Sequence, residues 1–320
     1  MNPDVVSAVA RLRAANVLSS EQAALFDRVA RRLLVSLRFE IRALLYIGVL
    51  LLTSGVGLLV KEHHQEIGPW AIAVAIGLAA AGCLFWVGRT AAPFSWGEVP
   101  SPNVAFDYVL LLGLLLFASD LAYIEVQFTL LGANWAHHLL VVGLVYLVAA
   151  YLWDSRTVLG LALTTLAAWR GVSVSLASAW TSQSDDLREN ALVLGVVYVA
   201  AAALSVWLER KAHFEAVFAN AGLLLVLGAL VSGALDDETG WAIWLAVLLV
   251  VAGIVTWHGF SLDRSLYFAE GVVAAYIGLL RLLFQPFRRT DSSIPFFLAA
   301  FLGIGVLFVI FAAHRRMRDR

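Results

Sequence analysis

Residues 217–257 read VFANAGLLLVLGALVSGAL, then DDETG, then WAIWLAVLLVVAGIVTW. The two flanking runs, nineteen and seventeen residues long, contain no Asp, Glu, Lys or Arg. Crossing about 30 Å of hydrocarbon at about 1.5 Å per residue takes about twenty apolar residues, and a helix is the form that satisfies every backbone amide within the segment. The acidic pentapeptide between the runs is too polar for the bilayer interior and ends in Gly240, so the stretch reads as two membrane helices joined by a short outer turn.

Working outward, eight more windows meet the same criterion. In order the ten are Ile41 to Val60, Trp70 to Gly88, Ala105 to Tyr123, His137 to Trp153, Val158 to Ser175, Ala191 to Leu208, Val217 to Leu235, Trp241 to Trp257, Leu266 to Phe284 and Ile294 to Ala313. Helix breakers fall between them: Gly68-Pro69, the stretch from Pro93 to Pro102, Ser182 to Asp186, and Gln285-Pro286. The expected fold is an all-α polytopic bundle of about ten spans over residues 41–313, preceded by a cytosolic hairpin (1–40) and followed by a basic cytoplasmic tail (314–320). The composition agrees, since 61% hydrophobic residues, 14% charged and a mean hydropathy of +0.85 leave too little polar surface to cover a soluble core. The first apolar run begins only near Ile41, so it is expected to be retained as an anchor rather than removed as a signal peptide. The lone cysteine, Cys83, builds neither a disulfide nor a cysteine metal site within one chain.

Tryptophan gives an independent check, because the indole ring is half buried and half wet at headgroup level. Trp70/Trp86, Trp135/Trp153 and Trp241/Trp257 bracket three windows at separations of about 24 to 27 Å along a helix, close to one hydrocarbon thickness. Orientation follows from the cations. With the N-terminus inside, sixteen Lys and Arg fall on the inner side and only Lys61, Arg170, Arg188, Arg281, Arg288 and Arg289 on the outer, so both termini are expected in the cytoplasm.

Ahead of the membrane, Asp4 to Ala15 and Gln22 to Leu37 carry helical spacing, with Ser19 and Gln22 spaced as a capping box. The second helix is basic on one side. Arg28, Arg31, Arg32, Arg38 and Arg42 are candidate contacts to anionic lipid, each worth about 1 kcal/mol near the surface, and fixing topology is the competing role. The inner turns recur in form as Trp153-Asp154-Ser155-Arg156, Trp207-Leu208-Glu209-Arg210 and Ser261-Leu262-Asp263-Arg264, and Arg156, Arg210 and Arg264 are spaced by fifty-four residues. A tandem helix-pair repeat and the ordinary spacing of any regular hairpin series both explain this. Ala73, Gly77 and Ala81 put small residues one turn apart in the second window, where they permit close contact within the chain or in a homo-oligomer.

A charge inside a span costs about 2.5 to 3.5 kcal/mol on insertion scales, so each one marks a partner, a cavity or an interface. The candidate intramembrane polar set is Glu270, Arg281, Asp107, Asp120, Arg170 and Asn220. Asp107 and Asp120 are expected near opposite ends of the third span, Glu125 just beyond it, and Arg170 near the outer end of the fifth. Glu270 lies within the ninth span, about 16 Å along the helix from Arg281. That is too far to pair, so a partner on another helix is expected, such as Asn220 or a tyrosine. His63-His64 with Glu62 and Glu66, and His137-His138, are outer residues without the H-E-x-x-H zinc spacing. No phosphate loop, nucleophile elbow or C-x-x-C pair is present in the sequence, so neither cofactor nor nucleic acid is expected, and membrane lipids are the expected partners.

The hairpin resembles that of a bacterial family of predicted membrane proteins, domain of unknown function 2157. The residues that carry the likeness are Leu12 to Asn16, then Val17-Leu18-Ser19-Ser20-Glu21-Gln22, then the arginine-rich approach from Arg28 to Arg42, with many spans following. The resemblance implies a multi-pass membrane protein and no particular activity. Three functions fit: binding or transport of a small solute or lipid, a scaffold or sensor whose hairpin engages a cytosolic partner, and a lipid-modifying enzyme.

Overall fold

The computed structural model describes residues 43–55, 58, 68–130, 132–134, 136–171, 185–236, 240–285 and 294–318. The expected hairpin at 1–40, the five candidate lipid-contact arginines, His63-His64 and Trp135 lie outside the described residues. Among those residues the fold is all-helical. Helix α1 (Ala43–Gly55) is the described part of a first unit, Met1–His64. The second unit, Gln65–Arg320, holds α2 (Pro69–Thr90), α3 (Val104–Phe128), α4 (His137–Trp153), α5 (Arg156–Trp169), α6 (Asp185–Trp207), α7 (Glu215–Leu235), α8 (Trp241–Ser261), α9 (Ser265–Phe284) and α10 (Ile294–Arg318). Seven of these, α2, α3 and α6 to α10, are long and apolar enough to cross a membrane, while α1, α4 and α5 are shorter apolar helices. Each expected window overlaps one described helix.

Consecutive helices form antiparallel hairpins: α2 with α3, α4 with α5, α6 with α7 and α8 with α9. Small residues bring the partners close. A Cβ on Gly222 of α7 would lie 2.7 Å from the Gly195 carbonyl of α6, and one on Gly271 of α9 would lie 2.8 Å from the Ala252 carbonyl of α8. With no hydrophobic force between helices in lipid, such close van der Waals contact is what holds a bundle together. Between hairpins, buried tyrosines reach across to helix carbonyls, Tyr146 Oη donating to Leu114 O at 3.0 Å and Tyr198 Oη to Leu163 O at 2.8 Å. The stripe in α2 is used within the chain, since Ala73 is buried and Gly77 faces α3, while Ala81 is exposed.

The three similar turns share one backbone form. Asp154, Glu209 and Asp263 each adopt left-handed φ, at 56°, 54° and 52°. The amide of the following residue reaches back five positions in each case: Ser155 to Ala150 O at 3.1 Å, Arg210 to Ser205 O at 3.1 Å and Arg264 to Gly259 O at 2.8 Å. These are Schellman closures, which satisfy orphan carbonyls at a helix end. The acids mark the common register. Arg156 stands one place further from its acid than Arg210 and Arg264 do from theirs, so even spacing of the arginines overstates the likeness.

Four helix ends differ from expectation by five or six residues; α6 begins at Asp185 rather than Ala191, and α10 runs on to Arg318 rather than ending at Ala313. Helix α3 continues to Phe128, five residues past the expected end, and closes through Thr129 in left-handed geometry. Helix α5 stops at Trp169, where Arg170 is the C-cap and Gly171 takes φ +78°. At fourteen residues, α5 rises about 21 Å, short of a full hydrocarbon thickness.

Candidate functional site

Contacts between turns define two opposite ends of the bundle. At one end, the αL backbone of Asp154 turns its carboxylate inward, where it meets the α6–α7 turn. Lys211 Nζ lies 3.2 Å from Asp154 Oδ2, with the two side chains 1% and 2% exposed. Asp154 Oδ1 contacts His213 Nε2, and Oδ2 accepts from the Val99 amide. The extended loop of residues 91–103 covers this group. The Lys211 amide donates to Trp96 O at 2.7 Å, its ammonium lies 5.3 Å from the Phe94 ring centroid, and Arg210 stacks over Trp96. Arg156 pairs with Glu98 at 2.9 Å, and Arg264 with Glu215 at 3.0 Å. All four connections expected on the inner side thus meet at one end. The sequence reading did not pick out Asp154, Lys211 and His213 as a group. Its available signal was the Pro-, Trp- and Glu-bearing stretch 91–103, too long for a simple turn between spans.

The opposite end carries the residues expected outside. Arg188 and Asp236 form a bridge at 2.7 Å, 10% and 7% exposed, and Arg281 donates to the Asp236 carbonyl at 3.1 Å while stacking on Trp241. Arg170, at the end of α5, donates to Asn190 Oδ1 at 2.6 Å. It therefore ties the end of α5 to α6, at the helix end where it is expected. Asp107 is also local, accepting from Ser101 Oγ at 2.7 Å in the first turn of α3.

Three candidates remain inside the bundle. Because α3 is longer than expected, Asp120 lies about two turns inside it and not at its end, and Glu125 falls in its last turn rather than beyond it. The Asp120 carboxylate rests on α2 where Gly77 leaves room, since a Cβ there would sit 2.9 Å from Asp120 Oδ2. Asp120 Oδ1 is buried without a hydrogen-bond partner. Glu270 Oε2 and Asn220 Oδ1 are in the same condition. Of the partners expected for Glu270, Asn220 or a tyrosine, Asn220 instead turns its Nδ2 back to Ala216 O at 2.6 Å in its own helix. Helices α7 and α9 run in the same direction, tied at their start by Tyr267 Oη donating to Glu215 Oε1 at 2.9 Å. Asn220 lies about 7.5 Å beyond Glu215 and Glu270 about 4.5 Å beyond Tyr267, so both orphan oxygens sit at similar depth.

A groove of about 540 Å³ opens between α8, α9 and α10. Its lining is apolar apart from Thr256, Trp257 with its indole N–H, and the hydroxyl of Tyr276. Gly253 and Phe260 of α8 and Phe268, Val272 and Ala275 of α9 line it on one side, and Leu302 and Val306 of α10 on the other. Tyr276, also in the lining, donates to Ala299 O of α10 at 2.8 Å. Helix α10 otherwise presents its apolar surface outward, including Phe297, Phe301 and Phe308. His137 only closes a local turn onto Asn134 O at 3.0 Å.

These features define the class: a polytopic α-helical membrane protein with paired charges at the helix ends and apolar flanks. Residues 10–159 match a family model described as predicted membrane protein (DUF2157), so the family resemblance carried by Leu12 to Gln22 holds over that stretch. No curated protein and no solved structure matches the chain.

Proposed function

We propose that this is a cytoplasmic-membrane protein, with both termini inside, that binds a membrane lipid by its acyl chain in the α8–α10 groove. The orientation rests on the cation asymmetry together with the joining of the four basic connections at one end of the bundle. The groove carries the lipid reading: an apolar trough on a surface that faces hydrocarbon is complementary to an alkyl chain and offers a polar solute few hydrogen bonds. Filling the trough tests it. Val306→Trp and Ala275→Trp should lower the amount of phospholipid that co-purifies with the intact protein, read by native mass spectrometry from mild detergent. Unchanged lipid retention in both variants would reject the groove as the binding place.

One observation favours a second reading, passage of a proton-coupled or cationic solute along the α7–α9 seam. Glu270 and Asn220 each leave a buried acceptor oxygen unsatisfied there, and unsatisfied intramembrane acids commonly mark ion pathways. Loss of an uptake activity in Glu270→Gln, with folding retained, would support it.

A further inference from the structure

Resting on the groove as a lipid site, we infer that its occupant is an anionic phospholipid of the inner leaflet, with the headgroup phosphate held by Arg316. The Arg316 guanidinium lies 5.9 Å from the ring centroid of Phe260, which lines the inner end of the groove. Arg316 is exposed, and among the described residues no carboxylate pairs with it. Geometry along α10 sets the depth of the trough below the cation. Val306, on the groove wall, is ten residues from Arg316, about 15 Å of helix, which is half of a 30 Å hydrocarbon core. Leu302 is four residues deeper, and Arg316 falls within about 40° of it around the helix. The cation therefore stands over one end of the trough at headgroup level, while the trough runs past the bilayer centre to Leu302 and Leu280. Trp257, 75% exposed and also lining the groove, places an indole at the same inner level. A zwitterionic lipid would bring its own cation to Arg316; an anionic one brings only the complementary charge.

Arg315 serves as an internal control. It lies nine residues past Val306, about half a turn round the helix, and stacks on Phe311 instead. The test is native mass spectrometry of the full-length protein titrated with phosphatidylglycerol or phosphatidylcholine. A basic residue near an anionic surface is worth about 1 kcal/mol, a factor of about five in affinity. The wild type should retain phosphatidylglycerol over phosphatidylcholine, Arg316→Gln should lower that preference about fivefold with phosphatidylcholine retention unchanged, and Arg315→Gln should leave it intact. Equal losses in R315Q and R316Q, or none in R316Q, would overturn the headgroup site. Ala275→Trp should lose both lipids; retention of both would instead sink the groove reading on which this rests. A dimer whose contact protects Val306 from labelling would show the trough to be a protein seam and overturn both.

Discussion

Lys211 Nζ lies 3.2 Å from Asp154 Oδ2 with both side chains almost wholly buried, joining the α4–α5 turn to the α6–α7 turn beneath the 91–103 loop. Removing Asp154 strands the buried Lys211 ammonium, and removing Lys211 leaves the buried Asp154 carboxylate with only His213 Nε2 and the Val99 amide. Removing one member of a buried pair typically costs about 3 to 5 kcal/mol, whereas replacing both with apolar or neutral groups is often close to neutral. Lys211→Met and Asp154→Asn should each lower the unfolding midpoint in detergent, and the double variant should recover much of the loss. Asparagine tolerates the left-handed backbone at position 154, so that substitution reports the charge and not the turn. Strict additivity of the two losses would show that the pair is not coupled.

The crossing of α6 and α7 depends on the absence of two side chains. A Cβ on Gly222 would stand 2.7 Å from Gly195 O and 2.8 Å from Val199 Cγ2. Gly222→Leu should force the helices apart and destabilise by at least about 1 to 3 kcal/mol, as overpacking does. Gly228→Leu, where a Cβ meets nothing within 4 Å, should melt like the wild type. Thermal unfolding followed by intrinsic fluorescence distinguishes the two, and equal midpoints would contradict the close crossing.

Glu270 has a buried oxygen with no hydrogen bond, so Glu270→Gln removes a charge without removing a bond at that atom. Given an insertion cost of about 2.5 to 3.5 kcal/mol for an intramembrane charge, E270Q should fold with a midpoint equal to or above the wild type. A marked drop would assign Glu270 a structural bond and remove it from any transport pathway.

Asp120 and Gly77 should behave as a matched pair. Gly77→Leu would drive a side chain into the place of the Asp120 carboxylate, 2.9 Å from the Cβ position, and should lower stability, and Asp120→Ala should relieve that loss in the double variant. A double-mutant cycle with no coupling would contradict the contact.

How much of this was readable beforehand divides by range. Helix α4 runs from His137 to Trp153, the bounds expected from hydropathy alone, because an uninterrupted apolar run between polar turns defines a membrane helix. The end of α5 was not legible, because Trp169-Arg170-Gly171 is followed by residues apolar enough to extend the window, and only the backbone at Gly171 ends the helix. Arg281 and Glu270 were recognised as costly charges, but sequence spacing reveals only same-helix geometry. The partner of Arg281 is a carbonyl forty-five residues earlier, and that of Lys211 is an acid fifty-seven earlier. The groove was equally out of reach, since it depends on how α10 sits against α8 and α9.

The central claim is that the connections alternate between two sides of one bilayer, with the Asp154 end inside. In a Cys83→Ala background, single cysteines at Ser95 and Ser261 should react with a membrane-impermeant maleimide only after spheroplasts are opened, while one at Gly240 should react in intact spheroplasts. Labelling of Ser261→Cys from outside, or of Gly240→Cys and Ser95→Cys from the same side, would contradict the account.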